Sequence, residues 1–407
     1  MTCETITRTL PTFDTIRDMI IRNNPDNPIL CFNPAVVQDR IQIFKERFPG
    51  IVAWAVKSNP HHQVLEAVVN AGIMHFDIAS KQEIDIVQAV CPNAVLHFNH
   101  PVKSPEDIEY AWVSGVRSFA VDCMDEVEKI SGVLKANGIS KRSAVTLLVR
   151  FYDQYVRGSD HYNFNVKFGT SPKEAVALLI RCKKLGYKVG LTFHSGSQNC
   201  RPETYRTTMH TAYDILMAAF HGEHQEIYQL NIGGGFPCPY PGSDNPPLSE
   251  YFKEIRLGAM KHVCEIMCEP GRVFVAEAAS LLTRVTLRRK GGNRLYINDG
   301  IYGSFREPSY VPLMPPARAY RADGTLISTL DASSQPFQIW GPTCDSLDGL
   351  GDSIYLPSTI QTGDFIEWGM MGAYSTASAT QFNGFQPAKL VQINRLVPWY
   401  QTDQAQL

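Results

Sequence analysis

Several side chains that can take part in catalysis stand directly after short apolar runs of the sequence. Lys57 follows residues 52–56, Asp77 follows residues 75–76, and Glu269 follows residues 265–268. A lysine in a partly dry site loses its proton more easily, and its free amine can form a Schiff base with an aldehyde. The sequence therefore indicates a lysine nucleophile at position 57, although an ordinary salt bridge to a neighbouring carboxylate would explain the same residue.

Three consecutive glycines, Gly233, Gly234 and Gly235, follow the apolar run at residues 227–232. A backbone without Cβ atoms can approach a phosphate closely and direct its N–H groups at it. Arg272, in the sequence Glu-Pro-Gly-Arg, supplies a cation that can close such a site, and Ser197 supplies a hydroxyl group. A glycine triplet on its own is equally typical of a turn.

Glu269 and His194 are suited to binding a flat nitrogen heterocycle such as pyridoxal phosphate. The pyridine nitrogen of that cofactor must stay protonated for its ring to accept electrons, and a carboxylate opposite the nitrogen holds the proton. His194 can stack on the ring. Glu269 could instead pair with Arg272, and His194 could be an inert buried residue, but their combination with Lys57 and the glycines favours the cofactor.

Other candidates lie at further strand-like ends and in the second half of the chain. Asp77, Glu83 and Arg150 would complete a ring of charges, unless they are ordinary paired or solvated residues. A cysteine thiol can give a proton to a carbanion and recover it, which makes Cys344 a candidate proton donor. A buried structural role is the alternative for this cysteine. Tyr374 offers a phenol to a phosphate oxygen.

The elements that must position these residues follow an alternating pattern. Eight short apolar runs end in a polar, charged or glycine residue, and helix-like stretches follow them. This pattern predicts an α/β fold, a (β/α)₈ barrel with its active site at the carboxyl ends of the strands. The runs are residues 52–57, 75–77, 95–100, 118–122, 145–150, 189–194, 227–233 and 265–269.

Beyond residue 281 the pattern changes to strand-like segments separated by turns rich in Pro and Gly, which indicates an all-β domain. These segments are residues 284–289, 294–298, 337–340, 364–368 and 389–394. We expect three regions: an N-terminal segment at residues 1–32 that joins the β domain, the barrel at residues 33–277, and the C-terminal β domain at residues 278–407.

The composition excludes some classes of partner. The 407 residues carry a formal net charge of −2 and 19% charged residues, so no basic surface for nucleic acid or an anionic membrane is expected. The sequence shows no signal peptide or transmembrane run, which favours a cytoplasmic enzyme. The ten cysteines lack CxxC spacing and are expected to be free thiols, with no metal site. The expected partners are a small molecule and a second copy of the chain.

Taken together, the motifs resemble those of the eukaryotic-type ornithine decarboxylase family. These are fold-type III, alanine-racemase-like enzymes that use pyridoxal 5′-phosphate to decarboxylate ornithine, lysine, arginine or diaminopimelate. The motifs occur in the family's order between residues 55 and 374. The matching strings are Ala-Val-Lys-Ser-Asn-Pro, Phe-Asp-Ile-Ala-Ser-Lys-Gln-Glu-Ile, Val-Lys-Phe-Gly, His-Ser-Gly-Ser, Ile-Gly-Gly-Gly-Phe-Pro, Glu-Pro-Gly-Arg, Asn-Asp-Gly-Ile-Tyr-Gly-Ser-Phe, Gly-Pro-Thr-Cys-Asp-Ser-Leu-Asp and Gly-Ala-Tyr.

The resemblance implies a role for each barrel residue. Lys57 would hold the cofactor as a Schiff base, His194 would stack on its ring, and Glu269 would bind the ring nitrogen. The phosphate would be bound by Ser197, Gly234, Gly235, Arg272 and Tyr374. The ring and Lys57 would be supported by Asp77, Glu83 and Arg150.

The resemblance also implies a head-to-tail homodimer with two shared active sites and a β domain of modified Greek-key type. Cys344 and Asp345 would reach into the barrel of the other subunit, Tyr302 would contribute to the substrate site, and Lys167 and Asp348 would form an ion pair between subunits. Loss of CO₂ from the substrate would leave a quinonoid carbanion, which Cys344 of the partner subunit would protonate to give an amine.

Two departures from the family pattern concern the substrate. In ornithine-specific relatives an aspartate, together with the equivalent of Asp345, binds the distal ammonium group, but Val311 occupies its position here. Losing one carboxylate removes a charge-assisted contact of ~1.5–3 kcal/mol. The family's short specificity helix is replaced by Asp-His-Tyr-Asn-Phe-Asn at residues 160–165. We therefore expect either a basic, ornithine-like amino acid that is bound differently or a larger or N-substituted diamino acid. The expected pathway is polyamine or fungal alkaloid (loline-type) biosynthesis.

Two other functions are alternatives. A catalytically inactive relative, such as the antizyme inhibitor of the same family, would act as a decoy for a regulatory partner, but such decoys lose cofactor residues that this chain keeps. An amino-acid racemase of the same fold would need a second base on the opposite face of the cofactor. Cys344 is expected there, without a tyrosine in an equivalent setting, so decarboxylation is preferred.

Overall fold

A computed structural model describes residues 10–139, 141–153, 167–220, 227–243, 245–261, 264–311, 313–327 and 333–399. The chain separates into two compact units. The barrel unit contains the described residues of Gln38–Pro239 and Asp244–Phe274. The β unit contains the described residues of Met1–Val37, Tyr240–Ser243 and Val275–Gln401.

Most strands are short, with four or five residues. In chain order they are β1 Thr12–Phe13, β2 Ile29–Phe32, β3 Ile51–Ala55, β4 His75–Ile78, β5 Val95–Phe98, β6 Ser118–Val121, β7 Thr146–Arg150, β8 Lys188–Thr192, β9 Gln229–Asn231, β10 Glu265–Cys268, β11 Ala279–Arg288, β12 Arg294–Ile297, β13 Ala317–Tyr320, β14 Ser334–Trp340, β15 Ile354–Pro357, β16 Phe365–Trp368 and β17 Lys389–Ile393.

The α-helices fall mainly in the first two thirds of the chain. They are α1 Ile16–Asn23, α2 Pro34–Arg47, α3 His62–Asn70, α4 Lys81–Val90, α5 Pro105–Val113, α6 Met124–Ala136, α7 Pro172–Lys184, α8 Glu203–Ala219, α9 Leu248–Ala259 and α10 Arg272–Val275. No helix within these described parts of the chain has the length and apolar character needed to cross a lipid bilayer.

The barrel unit is a closed ring of eight parallel strands. Its order is β10-β3-β4-β5-β6-β7-β8-β9, so each predicted apolar run became one strand and the predicted (β/α)₈ barrel is confirmed. The strands are rich in Val, Leu, Ile and Phe because their outer faces are covered by helices. Since all eight run in the same direction, their carboxyl ends meet at one end of the barrel.

An aromatic cluster anchors the chain directly after the glycine triplet. Phe236 stacks on Tyr205 of α8 with ring centroids 5.2 Å apart, and Phe44 of α2 contacts the edge of Phe236 at 4.9 Å. Phe44 makes a second edge contact with Phe274 at 4.9 Å. Phe44, Phe236 and Tyr205 are each no more than 2% exposed. The cluster therefore holds the loop after β9 by burial of large aromatic surfaces.

The β unit is a nine-stranded sheet of mixed direction. Most of it follows the order β1-β17-β2-β11-β12-β14-β15, and β16 pairs with both β11 and β13. The short helix α1 begins with a capping box in which Thr15 and Asp18 exchange hydrogen bonds. Met19 and Ile20 of this helix are fully buried in the core formed with β2, β16 and β17. The N-terminal residues thus supply both a central strand and a packed helix.

Candidate active site

Lys57 lies two residues beyond the end of β3. The strand stops at Ala55, and Val56–Ser58 forms a single 3₁₀ turn that the Ser58 hydroxyl closes by donating to the Ala55 carbonyl at 2.8 Å. The Lys57 ammonium donates to the Asp77 carboxylate at 2.9 Å. Asp77, in β4, is 5% exposed, whereas the Lys57 side chain is 48% exposed. The amine thus has a fixed carboxylate neighbour and an open side.

Glu83 lies behind this pair, in the first turn of α4. Ser80 caps the helix and accepts a hydrogen bond from the Glu83 N–H, while the Glu83 carboxylate accepts one from the Ala79 N–H at 2.6 Å. Burial raises the pKa of Glu83 from 4.5 to about 7, and the negative charge of Asp77 acts in the same direction. The Ala79 N–H and the Lys57 charge oppose this increase.

Glu83 is expected to make the stability of the cofactor-free protein depend on pH. A group whose pKa is raised by folding stabilises the fold below its unfolded-state pKa, and this stabilisation is lost as pH rises through its folded-state pKa, here about 7. Thermal unfolding followed by circular dichroism should show a melting temperature that falls between about pH 5 and about pH 8, with a smaller fall in Glu83→Gln. The exposed substitution Glu250→Gln is the control, and an unchanged profile in Glu83→Gln would contradict this account.

Glu269 follows β10 and is held by two amides. Its backbone N–H donates to the Gly233 carbonyl at 2.8 Å. Its side-chain Oε1 accepts hydrogen bonds from Asn99 Nδ2 and Asn231 Nδ2, both at 2.5 Å. Burial raises the pKa of Glu269 to about 7, with Asp77 acting in the same direction. Neither asparagine was identified from the sequence.

His194 and Arg150 stand at the carboxyl ends of β8 and β7. His194 Nδ1 accepts a hydrogen bond from the Gly196 N–H at 3.0 Å, so the ring proton of the neutral form is assigned to Nε2. Burial lowers the pKa of His194 well below its usual value, and the charges of Arg150 and Lys57 act in the same direction. A neutral imidazole can stack on an aromatic ring without requiring a counter-ion.

The carbonyl oxygens of the three consecutive glycines are all held by protein donors. These contacts are the Glu269 N–H to Gly233 at 2.8 Å, the Tyr205 hydroxyl to Gly234 at 2.8 Å and the Asn199 N–H to Gly235 at 2.9 Å. In a trans peptide the C=O and the following N–H point in opposite directions. The N–H groups of Gly234 and Gly235 therefore face away from these donors, and no described residue accepts a hydrogen bond from them.

Arg272 and Ser197 add side-chain donors to the barrel end. Arg272 is the first residue of α10 and is 3% exposed, and its Nε donates to the Ser197 hydroxyl at 3.2 Å. Gly235 must be glycine, because a Cβ there would lie 2.4 Å from the Gly196 carbonyl oxygen and its φ is +108°. Backbone N–H groups, a guanidinium and a hydroxyl are the donors that a phosphate needs. The barrel residues thus fit the phosphate, ring and aldehyde of pyridoxal phosphate.

The β unit contains a second group of predicted residues. The Tyr302 hydroxyl donates to the Asp345 carboxylate, and this contact raises the pKa of Tyr302 and lowers that of Asp345. Tyr302 also packs against Phe382, with ring centroids 4.5 Å apart. The Cys344 thiol is exposed, and it lies 3.3 Å from Asn383 Oδ1. Phe382 and Asn383 were not identified from the sequence.

Two more predicted residues, Val311 and Tyr374, belong to the β unit. Val311 is 4% exposed, and its N–H donates to the Glu307 carbonyl at 3.1 Å. Tyr374 has a left-handed backbone with φ of 55°. The substituted specificity segment at residues 160–165 lies outside the described residues.

Asp348 is enclosed by its own unit. Its carboxylate accepts hydrogen bonds from the Ile301 N–H at 2.9 Å, the Thr343 N–H at 3.0 Å and the Thr343 hydroxyl at 2.7 Å. Only 1% of the residue is exposed. Asp348 therefore fixes the loop that carries Cys344, and its ion pair with Lys167 between subunits stays a prediction.

Comparison with known proteins points to one family. Residues 35–276 match the family model described as "Pyridoxal-dependent decarboxylase, pyridoxal binding domain". A protein named Decarboxylase flvG, from Aspergillus flavus, is 33% identical over 376 residues, which cover 88% of this chain and 84% of that protein.

Solved structures agree with this match. A lysine/ornithine decarboxylase from Vibrio vulnificus, complexed with putrescine, has a TM-score of 0.78 and 28% identity, covering 93% of this chain and 97% of its own. The arginine decarboxylase of Paramecium bursaria Chlorella virus, bound to agmatine, has a TM-score of 0.80 and 25% identity, covering 93% and 99%.

Proposed function

The chain belongs to the family of pyridoxal-dependent decarboxylases, and on that premise we propose that it converts a basic or N-substituted diamino acid into the corresponding amine. Pyridoxal 5′-phosphate is its cofactor. The observation that carries the proposal is the meeting of an amine, a buried carboxyl group and a loop of free N–H donors at the carboxyl end of one parallel barrel.

Different barrel residues are assigned to different parts of the cofactor. When bound, pyridoxal phosphate supplies an aldehyde that condenses with amines and a ring that accepts the electron pair left by CO₂. Lys57 provides the amine that attaches to this aldehyde, and Asp77 holds that amine in place. Glu269, fixed by two amides, holds a proton at the ring nitrogen. His194, being neutral, stacks on the ring face.

The remaining cofactor contacts are to the phosphate and to the charges around the ring. Gly234 and Gly235 donate their free N–H groups, and Arg272 and Ser197 donate from their side chains. Tyr374 is assigned to the same phosphate by its family motif. Asp77, Glu83 and Arg150 are assigned to the support of the ring and of Lys57. In agreement with this, the charges of Asp77 and Lys57 act on the pKa of Glu83, and the charge of Asp77 acts on the pKa of Arg150.

The β-unit residues are assigned to substrate and product. We propose a homodimer in which the exposed Cys344 thiol of one subunit returns a proton to the substrate carbon in the barrel of the other. Asp345, oriented by Tyr302, faces the distal end of the substrate. In this arrangement residues 33–277 form the cofactor domain, and residues 1–32 and 278–407 together form the second domain.

The proposed substrate follows from the replacement of the family's distal aspartate by Val311. Two solved relatives are decarboxylases of lysine/ornithine and of arginine, which supports a basic amino acid. Val311 provides no charge for a distal ammonium group, so Asp345 is the carboxylate assigned to it. One carboxylate suits a distal amine that carries an alkyl or larger substituent, because a bulky amine offers fewer N–H donors. Roles in polyamine or fungal alkaloid synthesis follow from such a product.

A panel of amino acids tests this function. CO₂ release from ornithine, lysine, arginine and N-alkylated diamino acids is measured with the cofactor-loaded protein. We expect the highest kcat/KM for a substituted or larger diamino acid. Efficient and selective turnover of ornithine would reject the substrate assignment, and absence of CO₂ release from every member would reject the decarboxylase proposal.

Val311→Asp is expected to shift the preference toward ornithine. A restored carboxylate adds a charge-assisted contact of about 1.5–3 kcal/mol, which corresponds to roughly a tenfold to hundredfold gain in kcat/KM for ornithine. The comparison is made with Val311→Asn, which has a similar shape without the charge. An equal gain in both variants would show that charge is not the cause.

A further inference from the structure

Polar side chains line the interior of the barrel near Glu269. Asn99 follows β5 and Asn231 ends β9, and these strands are not neighbours in the ring. Both asparagines nevertheless donate to the same Glu269 oxygen, so their side chains point into the barrel interior. His97 stands two residues before Asn99 and therefore faces the same interior. Ser118 of β6 is the register partner of His97.

Three atoms in this interior have no hydrogen-bond partner among the described residues. They are His97 Nδ1, Ser118 Oγ and Asn99 Oδ1. The three residues are 5%, 9% and 7% exposed. The other His97 nitrogen, Nε2, is hydrogen bonded to His75 Nδ1 at 3.0 Å, so His97 has one nitrogen still to be satisfied. Buried polar atoms are nearly always hydrogen bonded, and ordered water supplies the partner when protein does not.

We propose that the barrel interior holds bound water against His97, Ser118 and Asn99, and that His97 and Ser118 are positioning residues that act on Glu269 through the Asn99 amide. The water donates to Asn99 Oδ1 and exchanges hydrogen bonds with the imidazole and the hydroxyl group.

The proposed effect follows from the two orientations of an amide. With Nδ2 toward Glu269, Asn99 donates to the carboxylate and stabilises its ionised form. With Oδ1 toward Glu269, two acceptors would meet unless the carboxyl group were protonated. A water that donates to Oδ1 selects the first orientation. Loss of that water is therefore expected to favour protonated Glu269.

Other charges also face Glu269 and must be held constant in a test. Asp77 raises its pKa, and Lys57 and Arg150 lower it. His194 is neutral at the pH values of interest, because burial lowers its pKa well below the usual value. Substitution of Ser118 leaves all four residues in place. A shift of the Glu269 titration in such a variant would therefore report on the interior network.

The first experiment is a high-resolution crystal structure of the holoenzyme. Ordered water within hydrogen-bond distance of Asn99 Oδ1 and of His97 or Ser118 supports the inference. A barrel interior without water at these atoms overturns it. This outcome does not depend on the substrate, so it can be distinguished from failure of the proposed function.

The second experiment is an infrared pH titration of the Glu269 carboxyl band in the full-length protein, freed of cofactor, with Glu269→Gln identifying the band. Ser118→Ala and His97→Leu are expected to raise the midpoint by about half a pH unit or more. Ser131→Ala is the matched control, because Ser131 bonds Tyr187 outside the barrel interior. An unchanged midpoint in folded Ser118→Ala overturns the inference, and His97→Leu repeats the test at a second position. The catalytic effect of this network rests on the proposed role of Glu269, whereas the network itself does not.

Discussion

Lys57→Ala is expected to abolish decarboxylation and to leave a protein that cannot hold its cofactor covalently. The variant loses the amine that attaches to the aldehyde, and the loss of covalent catalysis is expected to lower kcat on the order of a thousandfold or more. The visible absorbance of the covalently bound cofactor should disappear. Borohydride reduction followed by peptide mass analysis should label Lys57 in the wild-type protein and no lysine in the variant.

Lys188→Ala is the matched control for this experiment. Lys188 is an exposed lysine that begins β8, so it stands at the opposite end of the same barrel. Its removal should preserve absorbance, labelling and activity. Borohydride trapping of the cofactor at a different lysine in the wild-type protein would contradict the assignment of Lys57, even if Lys57→Ala were inactive.

Glu269→Gln is expected to retain the cofactor but to lose most of its turnover. Glutamine preserves the shape of the side chain but cannot hold a charge or stabilise a proton on the ring nitrogen. Loss of a single electrostatic contact of this kind lowers kcat on the order of 10²–10³-fold. The measurements are kcat for the best substrate and the absorbance of the bound cofactor, which should persist because Lys57 is intact.

Two further variants separate charge from packing at this position. Glu265→Gln removes an exposed carboxylate at the start of the same strand, β10, and should leave kcat unchanged. Glu269→Asp retains the charge but withdraws it from the two asparagines, so it should be impaired less than Glu269→Gln in kcat. Turnover by Glu269→Gln equal to that of the wild-type protein would show that the ring nitrogen does not depend on this carboxyl group.

The barrel could be predicted from the sequence because its strands are buried on both faces. Such strands appear as continuous apolar runs, and each run ends where a polar residue reaches the open end of the barrel. The position of Lys57 was predicted less well. The run at residues 52–57 seemed to be one strand, but β3 ends at Ala55 and Lys57 lies in a 3₁₀ turn. The geometry of this turn depends on the hydrogen bond from the Ser58 hydroxyl to the Ala55 carbonyl, and no sequence pattern predicts that bond.

The asparagines that hold Glu269 could not be found from the sequence. Asn99 and Asn231 stand at the carboxyl ends of β5 and β9 among apolar residues, and an uncharged amide gives no signal of its own there. Their function becomes visible only when the closed ring brings two distant strands to one carboxylate. The proposed roles of His97 and Ser118 likewise depend on contacts that only the closed ring creates.

The β unit was predicted only in part. Its strands β11, β12, β14, β16 and β17 overlap the expected segments, whereas β1, β2, β13 and β15 were not predicted. β2 is a four-residue run, fully buried, and it pairs with β11 and β17, which are more than 240 residues away in sequence. Such pairing is set by tertiary contacts and not by local periodicity.

The fixed carbonyl groups of the glycine loop have a consequence for the cofactor-free protein. Since Glu269, Tyr205 and Asn199 already immobilise that backbone, an incoming anion meets a preorganised surface and little conformational entropy is lost on association. Inorganic phosphate alone is therefore expected to occupy the loop and to compete with the vitamin B6 derivative, so the choice of buffer will alter how quickly the enzyme can be reconstituted.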